Sequence, residues 1–127
     1  MKKFLLSLAA LALCSSAAMA ESVTFDFTNN AYGLPNDQNT YVTVPATVTD
    51  GGVTLTLNGD ENSWRYWSDG LREYNKKNPT LTVTAGEKNI TSISWTVKSG
   101  VKFAITSGGD AISSWEGSAL SVTLMQM

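Results

Sequence analysis

Apolar residues at every second position constrain this chain more than any other feature of its sequence. Val23, Phe25 and Phe27 interleave with Thr24, Asp26 and Thr28, and Val53, Leu55 and Leu57 interleave with Thr54 and Thr56. Leu81, Val83 and Ala85 follow with Thr82 and Thr84 between them, then Ile93, Trp95 and Val97 with Ser94 and Thr96. Val101, Phe103 and Ile105, and finally Leu120, Val122 and Leu124, repeat the pattern. A period of two places each apolar set on one face of a strand and the Thr, Ser and Lys residues on the other. The chain is expected to be all-β.

The punctuation agrees. Asp50-Gly51-Gly52, Gly86-Glu87-Lys88-Asn89, Ser99-Gly100 and Ser107-Gly108-Gly109-Asp110 are turn compositions, and Val97 to Val101 reads as a tight hairpin. Thr40 to Thr49 is also strand-rich, but Pro45 cannot donate to a ladder, so an edge strand or two short strands are expected there. No segment carries a helical stripe, and the Thr, Val and Ser load resists one. Strands with one apolar face each bury it by packing two sheets face to face. About eighteen inward side chains at roughly 1.5–3 kcal/mol each suffice for one core. The expected fold is a two-sheet antiparallel β-sandwich, jelly-roll-like, since the immunoglobulin Cys…Trp…Cys pattern is missing.

The N-terminus reads as a leader rather than as part of that core. Lys2 and Lys3 precede the apolar run Phe4 to Leu13, and Ala18-Met19-Ala20 presents small residues to a signal peptidase. Residues 1–20 are therefore expected to be a signal peptide, with 21–127 a single domain. Leu11-Ala12-Leu13-Cys14 also resembles a lipoprotein box, but Leu13 is too bulky for the position before the cysteine. An apolar run this short does not span a bilayer, which takes about 20 residues, and no transmembrane segment is expected. Export places the protein in the periplasm, on the cell surface or outside the cell.

Charge and composition then remove whole classes of function. Loss of Lys2 and Lys3 takes the formal charge from −2 to a more acidic value, and no basic cluster exists to neutralise phosphates, so nucleic acid is not an expected partner. The chain has 0 histidines, which excludes zinc chemistry and any Ser-His or Cys-His nucleophile. No cofactor is expected, and no enzyme activity.

One stretch departs from plain alternation. After the polar run Asn58 to Ser63 come Trp64-Arg65-Tyr66-Trp67, a turn at Ser68-Asp69-Gly70, and Leu71-Arg72-Glu73-Tyr74. As a strand, Trp64 and Tyr66 share one face while Arg65 and Trp67 share the other, so one pair turns inward. Trp64, Arg65, Tyr66, Trp67, Arg72 and Tyr74 are accordingly the candidate ligand-binding residues. Sugar rings lie on indole and phenol faces while Arg fixes hydroxyls. The competing reading is that these residues are core and buttress, with an arginine lying across an aromatic ring.

This segment, together with Thr80-Leu81-Thr82-Val83, Lys88 to Ile93, Trp115-Glu116-Gly117, and the opening Val23 to Thr28 with Tyr32-Gly33-Leu34-Pro35, resembles a known group. It is similar to small β-sandwich modules of secreted, often multidomain, extracellular proteins of Bacteroidetes-type bacteria. The resemblance covers nearly all of residues 21–127 and implies a β-sandwich that accompanies an enzyme, an adhesin or an anchor. It implies no catalytic motif, and most such modules have no assigned activity.

The remaining constellations are weaker. Asp60 with Glu61 and Asp69 with Glu73 are the acid pairs a glycosidase would need, but nothing in their spacing sets them across a sugar. Calcium would draw on Asp37, Asp50, Asp60 or Asp110, and no EF-hand alternation gathers them. Gly108-Gly109-Asp110 lacks the helix of a phosphate loop. Trp115 reads either as a second exposed aromatic or as a plug at the end of the core. Two functions are carried forward. One is a non-catalytic module binding a glycan or cell-surface polymer; the other is a structural or protein-interaction domain that pairs an edge strand with a surface protein.

Overall fold

The computed structural model describes residues 7–14, 20–27, 32–36, 40–67, 70–73, 79–96, 103–106 and 109–126. Every named element among them is a strand. These are β1 (Ser7–Cys14), β2 (Ala20–Asp26), β3 (Ala46–Asp50), β4 (Val53–Asn58), β5 (Trp64–Trp67) and β6 (Gly70–Glu73). They continue with β7 (Thr80–Thr84), β8 (Asn89–Thr96), β9 (Phe103–Ala104), β10 (Ser114–Ala119) and β11 (Ser121–Gln126). No helix among the described residues is long and apolar enough to cross a membrane.

Five strands form a sheet in the order β3-β4-β7-β11-β9, and β10-β8-β1-β2 form a four-stranded sheet. The hairpin β5-β6 stands by itself between β4 and β7 in sequence. All strand pairs are antiparallel. The five-stranded sheet is set by the alternation read from sequence. Val48 on β3, Val53, Leu55 and Leu57 on β4, Leu81 and Val83 on β7, and Val122 and Leu124 on β11 are all buried. Asp50 pairs with Val53, so β3 and β4 are joined by Gly51 and Gly52 alone, at φ 57° and 81°. A two-residue turn with both central residues at positive φ matches strand twist, and glycine is the residue that adopts it without cost. A Cβ on Gly51 would also stand 2.7 Å from the Val23 side chain of β2, so this turn lies against the other sheet.

After β7 the chain alternates between sheets, passing to β8, then β9, β10 and β11. Phe25, Phe27, Ile90 and Ile93 join the inward residues of the five-stranded sheet in one buried cluster, together with Trp64, Tyr66 and Leu71 of the hairpin. Trp115 of β10 packs against this cluster, partly buried, with its ring over Gly117.

Several expectations are corrected. Leu120 is not inward: it is 55% exposed, because it is the single residue at which the chain bends from β10 into β11. Ile105 is 39% exposed, because β9 ends at Ala104 and leaves it past the ladder. The edge strand expected within Thr40 to Thr49 is present as β3, Ala46–Asp50, preceded by a segment that runs beside β5 without becoming a strand. The hairpin expected at Val97 to Val101 lies outside the described residues. Ser7–Cys14, within the expected leader, forms an inner strand paired with β2 and β8.

Candidate functional site

The hairpin β5-β6 resolves which aromatic residues are available to a ligand. Trp64 and Tyr66 point into the core and are fully buried. The Trp64 Nε1–H donates to the Asn58 carbonyl at 2.8 Å, and the Tyr66 hydroxyl donates to the Phe27 carbonyl at 2.5 Å. Burial of such rings is stable only when the polar handle is satisfied, and both are. Neither ring offers a face to a sugar. Of the other candidates, Trp67 and Arg72 have described backbones only, with Arg72 directly opposite Arg65 in the ladder. Tyr74 lies outside the described residues.

Arg65 shows where the outward side of this hairpin leads. Its guanidinium carbon lies 5.4 Å from the centroid of the Tyr41 ring. The side chain is only 8% exposed. A desolvated guanidinium over a tyrosine face is attracted by the ring quadrupole, worth about 0.5–2 kcal/mol. The arginine–aromatic contact considered from sequence is present, and its ring is one that the sequence did not single out.

Tyr41 belongs to an open groove of about 680 Å³. One wall is the segment Thr40 to Val44, and the other is Gly59, Glu61 and Asn62. Local chemistry builds each wall. Val42 N–H donates to the Trp64 carbonyl at 2.9 Å, which lays the first segment alongside β5. Opposite it, the chain leaves β4 through Gly59 at φ 140° and re-enters β5 through Asn62 at φ 68°. Asparagine is among the few non-glycine residues that tolerate that backbone. Ser63 closes the bend, its amide and hydroxyl both donating to the Asp60 carbonyl, at 3.2 and 2.7 Å. Tyr41 is half-buried, with Thr40, Thr43 and Glu61 exposed around it. Apolar ring, hydroxyls, carboxylate and backbone thus meet along one concavity, the composition of a site that orients a polar ligand against an aromatic surface.

Of the four acids, Glu61 lines the groove. Asp60 and Glu61 are both exposed neighbours on one loop, and Asp69 lies outside the described residues. Among the described residues no group of three or more His, Cys, Asp or Glu is gathered around a point where a metal would sit. Asp50 is instead committed to Tyr32, whose hydroxyl donates to its carboxylate at 3.0 Å. Partial burial of Tyr32, then this carboxylate, push the phenol up to about 12.

Fold and groove together define an all-β protein with a lateral cleft at the end of its five-stranded sheet. No protein-family model matches this chain, and neither a curated protein nor a solved structure is significantly similar to it.

Proposed function

We propose that this chain is an exported, non-catalytic binding module whose ligand is a glycan or a cell-surface polymer, held in the groove beside β5. The observation that carries the reading is Tyr41 set in that groove and braced from behind by Arg65. A braced ring keeps its orientation before a ligand arrives, which lowers the ordering cost of binding. The two larger sheets pack as a β-sandwich of jelly-roll type in this reading. The support for it is the single buried cluster they share and the alternation of the chain between them. The leader is removed after Ala20, and the resemblance to secreted Bacteroidetes-type modules points to the same cellular destination.

Retention of the exported protein on a panel of immobilised polysaccharides tests this. Wild type is retained by at least one polymer, and Tyr41→Ala, which removes a half-buried ring outside the core cluster, loses retention while melting close to wild type. A folded wild type retained by none of the panel sinks the proposal.

A second reading has its own observation. β3 is an outer strand of its sheet, with Thr47 and Thr49 exposed and no lysine on it, and among the described residues no strand pairs with its outer edge, which would suit a strand from a surface protein. Tyr41→Ala would then leave capture of that partner unchanged, and loss of capture in a folded Tyr41→Ala counts against this reading.

A further inference from the structure

The outward face of the five-stranded sheet carries a pattern that neither reading above uses. Thr49, Thr54, Thr84 and Ser121 are successive cross-strand partners from β3 through β4 and β7 to β11. Thr47, Thr56, Thr82 and Thr123 form a second row in the same way. Four hydroxyls within these rows are locked in two pairs, Thr49 with Thr54 at 3.1 Å and Thr82 with Thr123 at 2.8 Å. The outward positions beyond them are Asn58, Thr80 and Met125, so no outward position on these four strands bears a charge. Globular surfaces are usually about 25–35% charged, and an outer strand such as β3 is commonly protected by lysine. This face has neither.

Such a face has definite binding properties. Each threonine presents a methyl and a hydroxyl on a side chain that is stiff at χ1, so little entropy is lost when a ligand covers it. The spacing is set by the backbone at about 4.8 Å between strands and about 6.7 Å between alternate residues. The two rows therefore span a strip of roughly 15–20 by 10 Å, far below the ~800 Å² per partner that a stable dimer buries. A second copy of the chain does not find enough surface there, whereas one extended polymer strand does. Without charge the strip gains nothing from an anionic or cationic ligand. It is also continuous with the groove in the chain: Gly59 of the groove follows Asn58 at the end of β4, and Val44 of the groove leads through Pro45 into β3.

We propose that the threonine strip is a docking surface for an uncharged, hydroxyl-rich polysaccharide strand, continuing the site that begins in the groove. This rests on the glycan reading of the groove and narrows its ligand class to neutral polymers longer than the groove itself.

Depletion of the exported protein by microcrystalline cellulose, chitin and insoluble β-1,3-glucan, with alginate and pectate as anionic counterparts, tests it. The variants are Thr56→Lys with Thr82→Lys, the same pair to Val, and Glu116→Lys on β10 as a control, each checked by its melting curve. Wild type is retained by a neutral polymer. The lysine pair weakens retention roughly tenfold, equivalent to about 1.4 kcal/mol, and the valine pair weakens it less, while Glu116→Lys leaves it unchanged. Soluble disaccharides of the retained polymer, which need only the groove, still bind the lysine pair. Retention of a folded lysine pair at the wild-type level overturns the strip and leaves the groove standing. Retention of wild type by alginate or pectate alone overturns it too. Ice shaping by wild type, lost in the lysine pair and unaccompanied by polymer retention, assigns the strip to ordered water instead. Failure of wild type on every polymer removes both the strip and the groove reading.

Discussion

The two large sheets are built to different standards. In the five-stranded sheet β3-β4, β4-β7 and β7-β11 each run through five consecutive residue pairs without a register shift. In the four-stranded sheet every ladder is broken: β1-β2 between Leu8 and Leu11, β1-β8 at two places, and β10-β8 between Glu116 and Ala119. A one-residue slip turns every side chain to the wrong face, so register is held firmly where alternation is strict and one face is fully buried. The Thr-Val-Thr and Thr-Leu-Thr strands meet that condition. Ser114 to Ala119, with Ser, Glu and Gly outnumbering its large apolar residues, does not. The inner strand of the weaker sheet is moreover the segment expected to leave with the leader. Groove and threonine strip both belong to the stronger sheet and its flanking loops. The proposed binding surfaces therefore sit apart from β1, the strand that lies within residues 1–20.

Removing the leader tests this contrast most severely. Hydrogen exchange on the chain beginning at Glu21 should leave β4, β7 and β11 as protected as in the uncleaved chain. The β8 amides that face β1 should exchange at rates typical of an unprotected strand edge. Equal protection of β8 in both forms would show that β2 closes onto β8 and that the weaker sheet is complete without its inner strand. Loss of protection in β4 and β7 would show instead that the sheets fold only together.

Core substitutions sharpen the same contrast. Trp64→Ala should cost about 3–5 kcal/mol in denaturant unfolding, since it empties a fully buried indole site at the end of the stronger sheet and orphans the Asn58 carbonyl. Leu120→Ser, at the exposed bend between the sheets, should move stability by less than about 0.5 kcal/mol. A comparable loss at Leu120 would mean that the bend is covered in the folded protein.

Gly51→Ala addresses the corner where the two sheets meet. Alanine there must hold a positive φ, at about 1–2 kcal/mol, and must push Val23 aside. Gly52→Ala carries the same backbone cost with nothing within 4 Å to clash. The difference between the two variants measures how rigidly β2 is held against the β3-β4 turn. Identical losses would mean that β2 gives way freely.

What the sequence revealed follows the same division. Strict alternation made β2, β4, β7, β8 and β11 legible, and the Gly51-Gly52 pair announced the β3-β4 turn. β10 escaped because Trp115 stands on a strand whose next same-face residue is Gly117, which leaves no apolar rhythm to read. β1 has the composition of a leader, an apolar run with lysines before it and Ala-x-Ala after it, and that composition does not announce its pairing with β2 and β8. At the site, alternation paired Trp64 with Tyr66, and both are buried, but period alone does not say which face of the strand turns inward. Tyr41 was invisible for a different reason. Its partner Arg65 lies far along the chain, and the two segments meet through tertiary pairing such as the hydrogen bond from Val42 to Trp64.

The smallest expected effect lies at Tyr32, which joins the opposite end of the stronger sheet to β2. Its ring packs 5.7 Å from Phe25 and 5.3 Å from Phe27, and its hydroxyl donates to Asp50 at the end of β3. With the phenol pushed up to about 12 in the folded protein against an ordinary value near 10, the folded state keeps a proton that the unfolded chain gives up first. Stability from this contact is therefore complete below about pH 10 and is lost as pH rises through about 12, where the unfolded state binds fewer protons. Solvent screening at this partly exposed site keeps the effect small. Tyr32→Phe should flatten the decline of melting temperature between those pH values while costing little at neutral pH. An unchanged alkaline slope in Tyr32→Phe would show that the bond between β3 and the segment after β2 contributes nothing, and that the two sheets are joined at that end by apolar packing alone.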